Sequence, residues 1–120
     1  MQTNILGTNL EICCTSPMTG FYRDGVCRTS QEDTSMHTVC AILTNKFLEF
    51  SKAQGNDLTT PVPQYGFPGL KEGNKWCLWE LRWKEAYEAG CAPKIIAEAT
   101  SNATTKVIKK EILLEYVFSA

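Results

Sequence analysis

Seven residues that break helices and strands fall between positions 55 and 73: Gly55, Pro61, Pro63, Gly66, Pro68, Gly69 and Gly73. Proline removes backbone donors and glycine loosens the chain, so the stretch 55–74 is predicted to be a long surface loop. Loops of about twenty residues without structure of their own are uncommon in small domains, and those that occur tend to serve function. This one carries Asn56, Asp57, Tyr65 and Phe67. Regular elements must therefore form on either side of it.

On the N-terminal side, residues 4–35 are also loop-rich, with turn formers at Gly7, Asn9, Pro17, Gly20, Asp24 and Gly25 and a short strand expected near Leu10–Cys13. Val39–Leu43 is an apolar run suited to a buried strand. Thr44 can then cap a helix over 45–54, closed by Gly55, with Leu43 and Leu48 as a hydrophobic staple and Phe47, Leu48 and Phe50 on its buried side. Beyond the loop, Trp76–Trp79 reads as a strand feeding a helix that ends at Gly90. Trp79, Trp83 and Tyr87 share one helical stripe, better explained as core than as a ligand platform, while Glu80 and Lys84 pair on the outer side. A strand over Lys94–Glu98 and a helix over Lys109–Phe118 complete the chain. The expected class is α+β: a small sheet with about three helices packed on it and a loop-rich N-terminal part.

A length of 120 residues, with no repeats and no low-complexity linker, points to a single domain over 1–120. The halves 1–60 and 61–120 carry net charges of −2 and +1, and Lys109-Lys110 is the only adjacent basic pair, so nucleic-acid binding is not expected. The N-terminus lacks a basic flank followed by a long apolar core, and no apolar run approaches a membrane span, so a soluble cytoplasmic protein is expected. In a reducing compartment the six cysteines at 13, 14, 27, 40, 77 and 91 would stay free, catalytic or metal-bound. Their even number also fits a disulfide framework, the less favoured reading.

His37-Thr38-Val39-Cys40 is the sharpest local feature, because a histidine beside a cysteine can generate a thiolate or supply two metal ligands. On a strand, however, residues three apart point to opposite faces, and Cys40 reads more simply as a small buried hydrophobe. Zinc signatures pair ligands two to four residues apart, twice over; only His37 and Cys40 have such spacing, and no metal ligands are assigned. Arg23-Asp24-Gly25 is ordinary turn chemistry, though Arg23 can clamp a carboxylate or phosphate. Glu32 and Asp33 are adjacent carboxylates that a solvated loop explains. Gly-rich phosphate motifs, a nucleophile-elbow serine and helical zinc-protease pairs are absent.

Several segments together carry a resemblance: Asn4-Ile5-Leu6-Gly7, Pro17-Met18-Thr19-Gly20-Phe21, Arg23-Asp24-Gly25 with Cys27, and His37-Thr38-Val39-Cys40-Ala41. Phe47-Leu48-Glu49-Phe50-Ser51, Gly55-Asn56-Asp57-Leu58, Phe67-Pro68-Gly69-Leu70 and Trp76-Cys77-Leu78 continue it in the same order. Over nearly its whole length the chain resembles the uncharacterised bacterial domain-of-unknown-function family 2237. The resemblance implies a small stand-alone α+β domain and brings no activity, substrate or cofactor. The family pattern after Trp76 often reads Cys-Leu-Cys, where this chain has Cys77-Leu78-Trp79. A dithiol at 77 and 79 is then no general requirement, which weakens the metal and redox readings.

The leading expectation is a small-molecule binding protein or uncharacterised enzyme, with a polar pocket of Arg23, Asp24, Cys27, His37, Asn56, Asp57, Trp76 and Cys77 walled by the 55–74 loop. That pocket requires its side chains on one face. The alternatives are a non-catalytic interaction domain using the Pro/Gly loop with Tyr65 and Phe67, and a thiol or metal site of Cys27, His37, Cys40 and Cys77. The sequence assigns no cofactor, reaction or oligomeric state.

Overall fold

A computed structural model describes residues 2–15, 18–20, 22–29 and 37–118. Pro17, Glu32 and Asp33, named above as a turn former and as adjacent carboxylates, lie outside the described residues. Three strands, β1 (His37–Ile42), β2 (Lys75–Trp79) and β3 (Lys94–Ile95), form an antiparallel sheet in the order β2-β1-β3. Three α-helices, α1 (Asn45–Ala53), α2 (Glu80–Glu88) and α3 (Lys110–Glu115), complete an α+β fold. Among the described residues, no helix is long and apolar enough to cross a membrane.

Local signals place α1. The Thr44 hydroxyl accepts the Phe47 amide at 3.1 Å, satisfying a donor that the first helical turn cannot, and Leu43 and Leu48 are both buried beside it. Phe47 and Leu48 reach the core as expected, while Phe50 is half-buried. The 55–74 loop holds only a 3₁₀ turn at Pro63–Tyr65 and a bridge between Val62 and Phe67.

Two expected elements are shorter than their sequence patterns. Only Lys94–Ile95 pairs as strand, because the chain turns into a 3₁₀ helix at Ala97–Ala99. The last helix stops at Glu115, and Val117 instead bridges Ile95 in parallel. The strand expected near Leu10–Cys13 is a single bridge from Ile12 to Val26.

Strand alternation sorts the sheet into two differently built faces. Val39, Ala41, Trp76 and Leu78 belong to the main core with Phe47, Trp83, Ile95 and Leu113. Cys40 and Cys77, opposite one another in the register, join a second cluster with Cys13, Cys27 and Ala99. Phe47 of α1 and Trp83 of α2 pack on the first face; Cys13 and Cys27 of the N-terminal loops, with Ala99, pack on the second.

This second cluster corrects the expectation of free thiols. Cys13 is bonded to Cys40 and Cys27 to Cys77, with Cα separations of 5.7 and 5.2 Å. Cys40 is indeed fully buried, but as half of a cross-link and not as a lone hydrophobe. Both bonds tie an N-terminal loop to a sheet strand, which substitutes for the regular structure those loops lack. Cys14 and Cys91 remain free. Cys91 lies in the main core, where burial pushes its thiol up.

Candidate functional site

A cleft of about 550 Å³ opens where the 55–74 loop, the end of the sheet, the start of α2 and the N-terminal turn meet. Trp76 and Leu78 form its floor from β2, Trp79 and Arg82 come from the strand-to-helix junction, and His37 from the start of β1. Asn56, Leu58 and Phe67 come from the loop, and Arg23 from the N-terminal turn. Its surface is divided nearly evenly between polar and apolar atoms, with Arg23, His37, Asn56 and Arg82 set among the apolar and aromatic side chains.

Arg23 owes its position to a tight turn. Its backbone is left-handed at φ 55°, a conformation that costs a non-glycine residue roughly 1 kcal/mol or more. The turn is held by the Arg23 amide to the Gly20 carbonyl at 3.0 Å and the Gly25 amide to the Thr19 carbonyl at 2.9 Å. Gly20 itself has φ 97°, and a Cβ there would stand 2.5 Å from the Val26 carbonyl oxygen, so only glycine closes this turn. The Arg23 guanidinium lies 5.2 Å from the Trp76 ring centroid, and Phe67 meets the same ring edge-on at 5.5 Å.

A second guanidinium, that of Arg82, sits 5.6 Å from the Trp79 ring centroid. Its Nη1 donates to the Gln54 carbonyl and to Glu85, each at 3.3 Å. Its Nε is buried and has no hydrogen-bond partner among the described residues. A buried donor left without a partner costs on the order of 1–3 kcal/mol, so such groups are uncommon in folded proteins.

Of the eight residues expected to share one pocket, the structure brings four into the cleft: Arg23, His37, Asn56 and Trp76. The other four are elsewhere, and each has a local physical reason. Cys77 lies between Trp76 and Leu78 on β2 and so faces the other side of the sheet, where it bonds Cys27. Asp24 is consumed by its own turn, accepting the Val26 amide at 3.1 Å and Arg28 Nε at 2.6 Å. Burial raises the Asp24 carboxyl, but the Arg28 hydrogen bond, the Val26 amide and the Arg28 charge outweigh it and leave the group below its ordinary range. Asp57 accepts the hydroxyl of Thr60 and both the amide and hydroxyl of Thr59, which hold its carboxyl well below the usual carboxylate range. Asn56, by contrast, is anchored to α1 through its backbone (amide to the Ser51 carbonyl, carbonyl from the Ser51 hydroxyl), and its amide side chain lines the cleft.

The sequence reading missed Leu58, Phe67, Leu78, Trp79 and Arg82 as lining residues. For Arg82 a signal existed: an arginine three positions after a tryptophan at a helix start can lie over the indole. The aromatic stripe accordingly splits. Trp83 and Tyr87 stack in and beside the core at 5.8 Å, while Trp79 turns to the cleft. Glu80 also departs from its expected outer position. It is 2% exposed and accepts the Thr38 hydroxyl at 3.2 Å, while the Thr104 hydroxyl donates to Thr38 Oγ1 at 2.8 Å. Its place at the first position of α2 sets the carboxylate at the positive end of that helix.

His37 and Cys40 do not share a site, since His37 lines the cleft and Cys40 belongs to the disulfide face. The thiol or metal quartet that included His37 is therefore divided by the sheet.

Residues 3–117 match the family model described as an uncharacterized protein conserved in bacteria, DUF2237. The chain belongs to the DUF2237 family. A comparison with curated proteins finds no match. DUF2237 membership names no activity, which is left to be argued from the cleft.

Proposed function

We propose that this DUF2237 protein binds a small organic anion, with its negative group against Arg23 and Arg82 and a flat or apolar body against Trp76, Trp79 and Phe67. One observation carries the reading: the described lining of the cleft contains two arginines and a histidine but no Asp or Glu, and the buried Arg82 Nε has no partner among the described residues. Arginine presents several donors in a rigid plane that suits a carboxylate or phosphate. A site of this size encloses a small molecule and not a macromolecule.

Binding fits the lining better than catalysis does. The described lining holds no cysteine, serine, threonine, tyrosine or carboxylate to serve as a nucleophile. A cytoplasmic setting belongs to the proposal too. It draws on the unpaired thiols of Cys14 and Cys91, whereas the Cys13–Cys40 and Cys27–Cys77 disulfides point the other way and would have to be reduced there.

The test is titration of the purified protein with pairs of aromatic acids and their neutral primary amides, followed by calorimetry. The acids are expected to bind and the amides to fail. Hydrogen bonds to charged groups contribute about 1.5–3 kcal/mol each, so Arg23→Gln and Arg82→Gln are each expected to weaken binding by about ten- to a hundredfold. Equal binding of acids and amides would sink the proposal.

A second reading draws on Tyr65, which is 80% exposed at the tip of the 55–74 loop. An exposed aromatic there favours contact with another protein. Phe67 does not add to it, because it packs on Trp76.

A further inference from the structure

We infer that the four cysteines of the second sheet face form a zinc site when their two disulfides are reduced. This site is separate from the anion cleft and does not depend on it. The Sγ atoms of Cys13, Cys27 and Cys77 lie within 4.8 Å of one another although they belong to two different disulfides. Cys40, the fourth, is bonded to Cys13 and stands opposite Cys77 in the β1–β2 register. All four side chains are buried.

The spacing suits a single ion. Tetrahedral zinc holds thiolates at about 2.3 Å, which puts neighbouring sulfurs about 3.8 Å apart. Cys13 lies within 4.8 Å of the bonded Cys27–Cys77 pair, so on reduction each former disulfide must part from bonding distance to about 3.8 Å while Cys13 closes by up to about 1 Å. An iron–sulfur cluster places iron and sulfide between the thiolates and needs them further apart. Buried sulfur-only donor sets favour zinc over magnesium or calcium, which take oxygen.

The backbone around the cluster is already arranged. The Cys77 amide donates to Thr19 Oγ1 at 2.8 Å and the Cys40 amide to Thr100 Oγ1 at 3.2 Å, so both sheet positions are held independently of the sulfurs. On the loop side, the Cys13 amide donates to the Gly25 carbonyl at 2.6 Å, linking the two N-terminal segments that carry Cys13 and Cys27. Two ligands from the sheet and two from the loops would replace two covalent staples with one four-armed staple. Paired ligands two to four residues apart are absent because each ligand comes from a different segment.

The chemistry balances with a reductant of the phosphine class. Each disulfide takes two electrons and two protons, yielding two thiols, while the phosphine becomes its oxide with oxygen from water. Zn²⁺ then displaces the four thiol protons and is itself neither oxidised nor reduced.

The test uses the full chain, oxidised or reduced with a phosphine, then incubated with Zn²⁺ and desalted for elemental analysis. The reduced protein is expected to hold one zinc per chain and the oxidised protein none. X-ray absorption of the reduced complex should show four sulfurs at the metal, and Cys27→Ser or Cys77→Ser should remove stoichiometric zinc. Cys14→Ser and Cys91→Ser should retain it. A reduced wild-type chain that takes up no zinc overturns the proposal, as does a metal with fewer than four sulfurs or zinc lost with Cys14→Ser. The absorption measurement on wild type decides the ligand set even where a serine variant fails to fold.

Discussion

Reducing both disulfides in the presence of a chelator is expected to lower the stability of the chain by about 4 kcal/mol or more. The bonds close sequence separations of 27 and 50 residues. Chain-entropy arguments give each alone about 3.5–4 kcal/mol, and the overlap of the two loops keeps the joint effect below their sum. Domains of this size hold about 5–15 kcal/mol in total, so the loss removes much of what keeps the fold intact. The N-terminal loops should suffer most, because their other ties are the buried Ile5, a few bridges and isolated hydrogen bonds. Guanidinium denaturation with and without reductant, both with chelator, measures the difference. An unchanged midpoint would show that the loops are held by packing alone.

Trp83→Ala is expected to cost about 3–5 kcal/mol, the range for a large aromatic removed from a core. Trp83 is fully buried, stacks on Tyr87, meets Tyr116 edge-on at 5.2 Å and donates its indole N–H to the Pro93 carbonyl at 3.0 Å. The substitution therefore opens a cavity and strands a buried carbonyl together. Trp79→Ala makes the comparison informative. That side chain is half-buried at the cleft, so its loss should weaken ligand binding and leave most of the stability. Urea denaturation of both variants, alongside calorimetric titration, separates the two roles. If Trp79→Ala destabilises as much as Trp83→Ala, the division of the aromatic stripe into core and cleft is wrong.

What could be read from the sequence was local. The cap and staple of α1, and the passage from β2 into α2, depend on residues within one turn of each other. The Asp24 and Asp57 turns were equally local. Each carboxylate binds an amide or hydroxyl two or three residues on, a short-range signal of self-satisfied turns that went unused when both were placed in the pocket. Cysteine pairing was not legible, because partners 27 and 50 residues apart leave no trace in spacing. Glu80 was hidden for a similar reason. Its burial follows from hydroxyls on β1 and on the 3₁₀ helix Asn102–Lys106, not from its neighbours on α2. The cleft was half legible: Arg23, His37, Asn56 and Trp76 were named for their chemistry, whereas Leu58 and Phe67 join it only through the path of the loop.

The three tryptophans make the central claim directly measurable. Trp76 and Trp79 line the cleft, whereas the Trp83 indole is bonded inside the core. In a two-dimensional nitrogen–proton spectrum of the labelled protein, addition of an aromatic carboxylate should move the Trp76 and Trp79 indole signals and leave Trp83 in place. The matching neutral amide should move none. Anion-dependent shifts confined to Trp76 and Trp79 are the result the account predicts; equal shifts with the amide, or anion binding that leaves both signals unmoved, would contradict it.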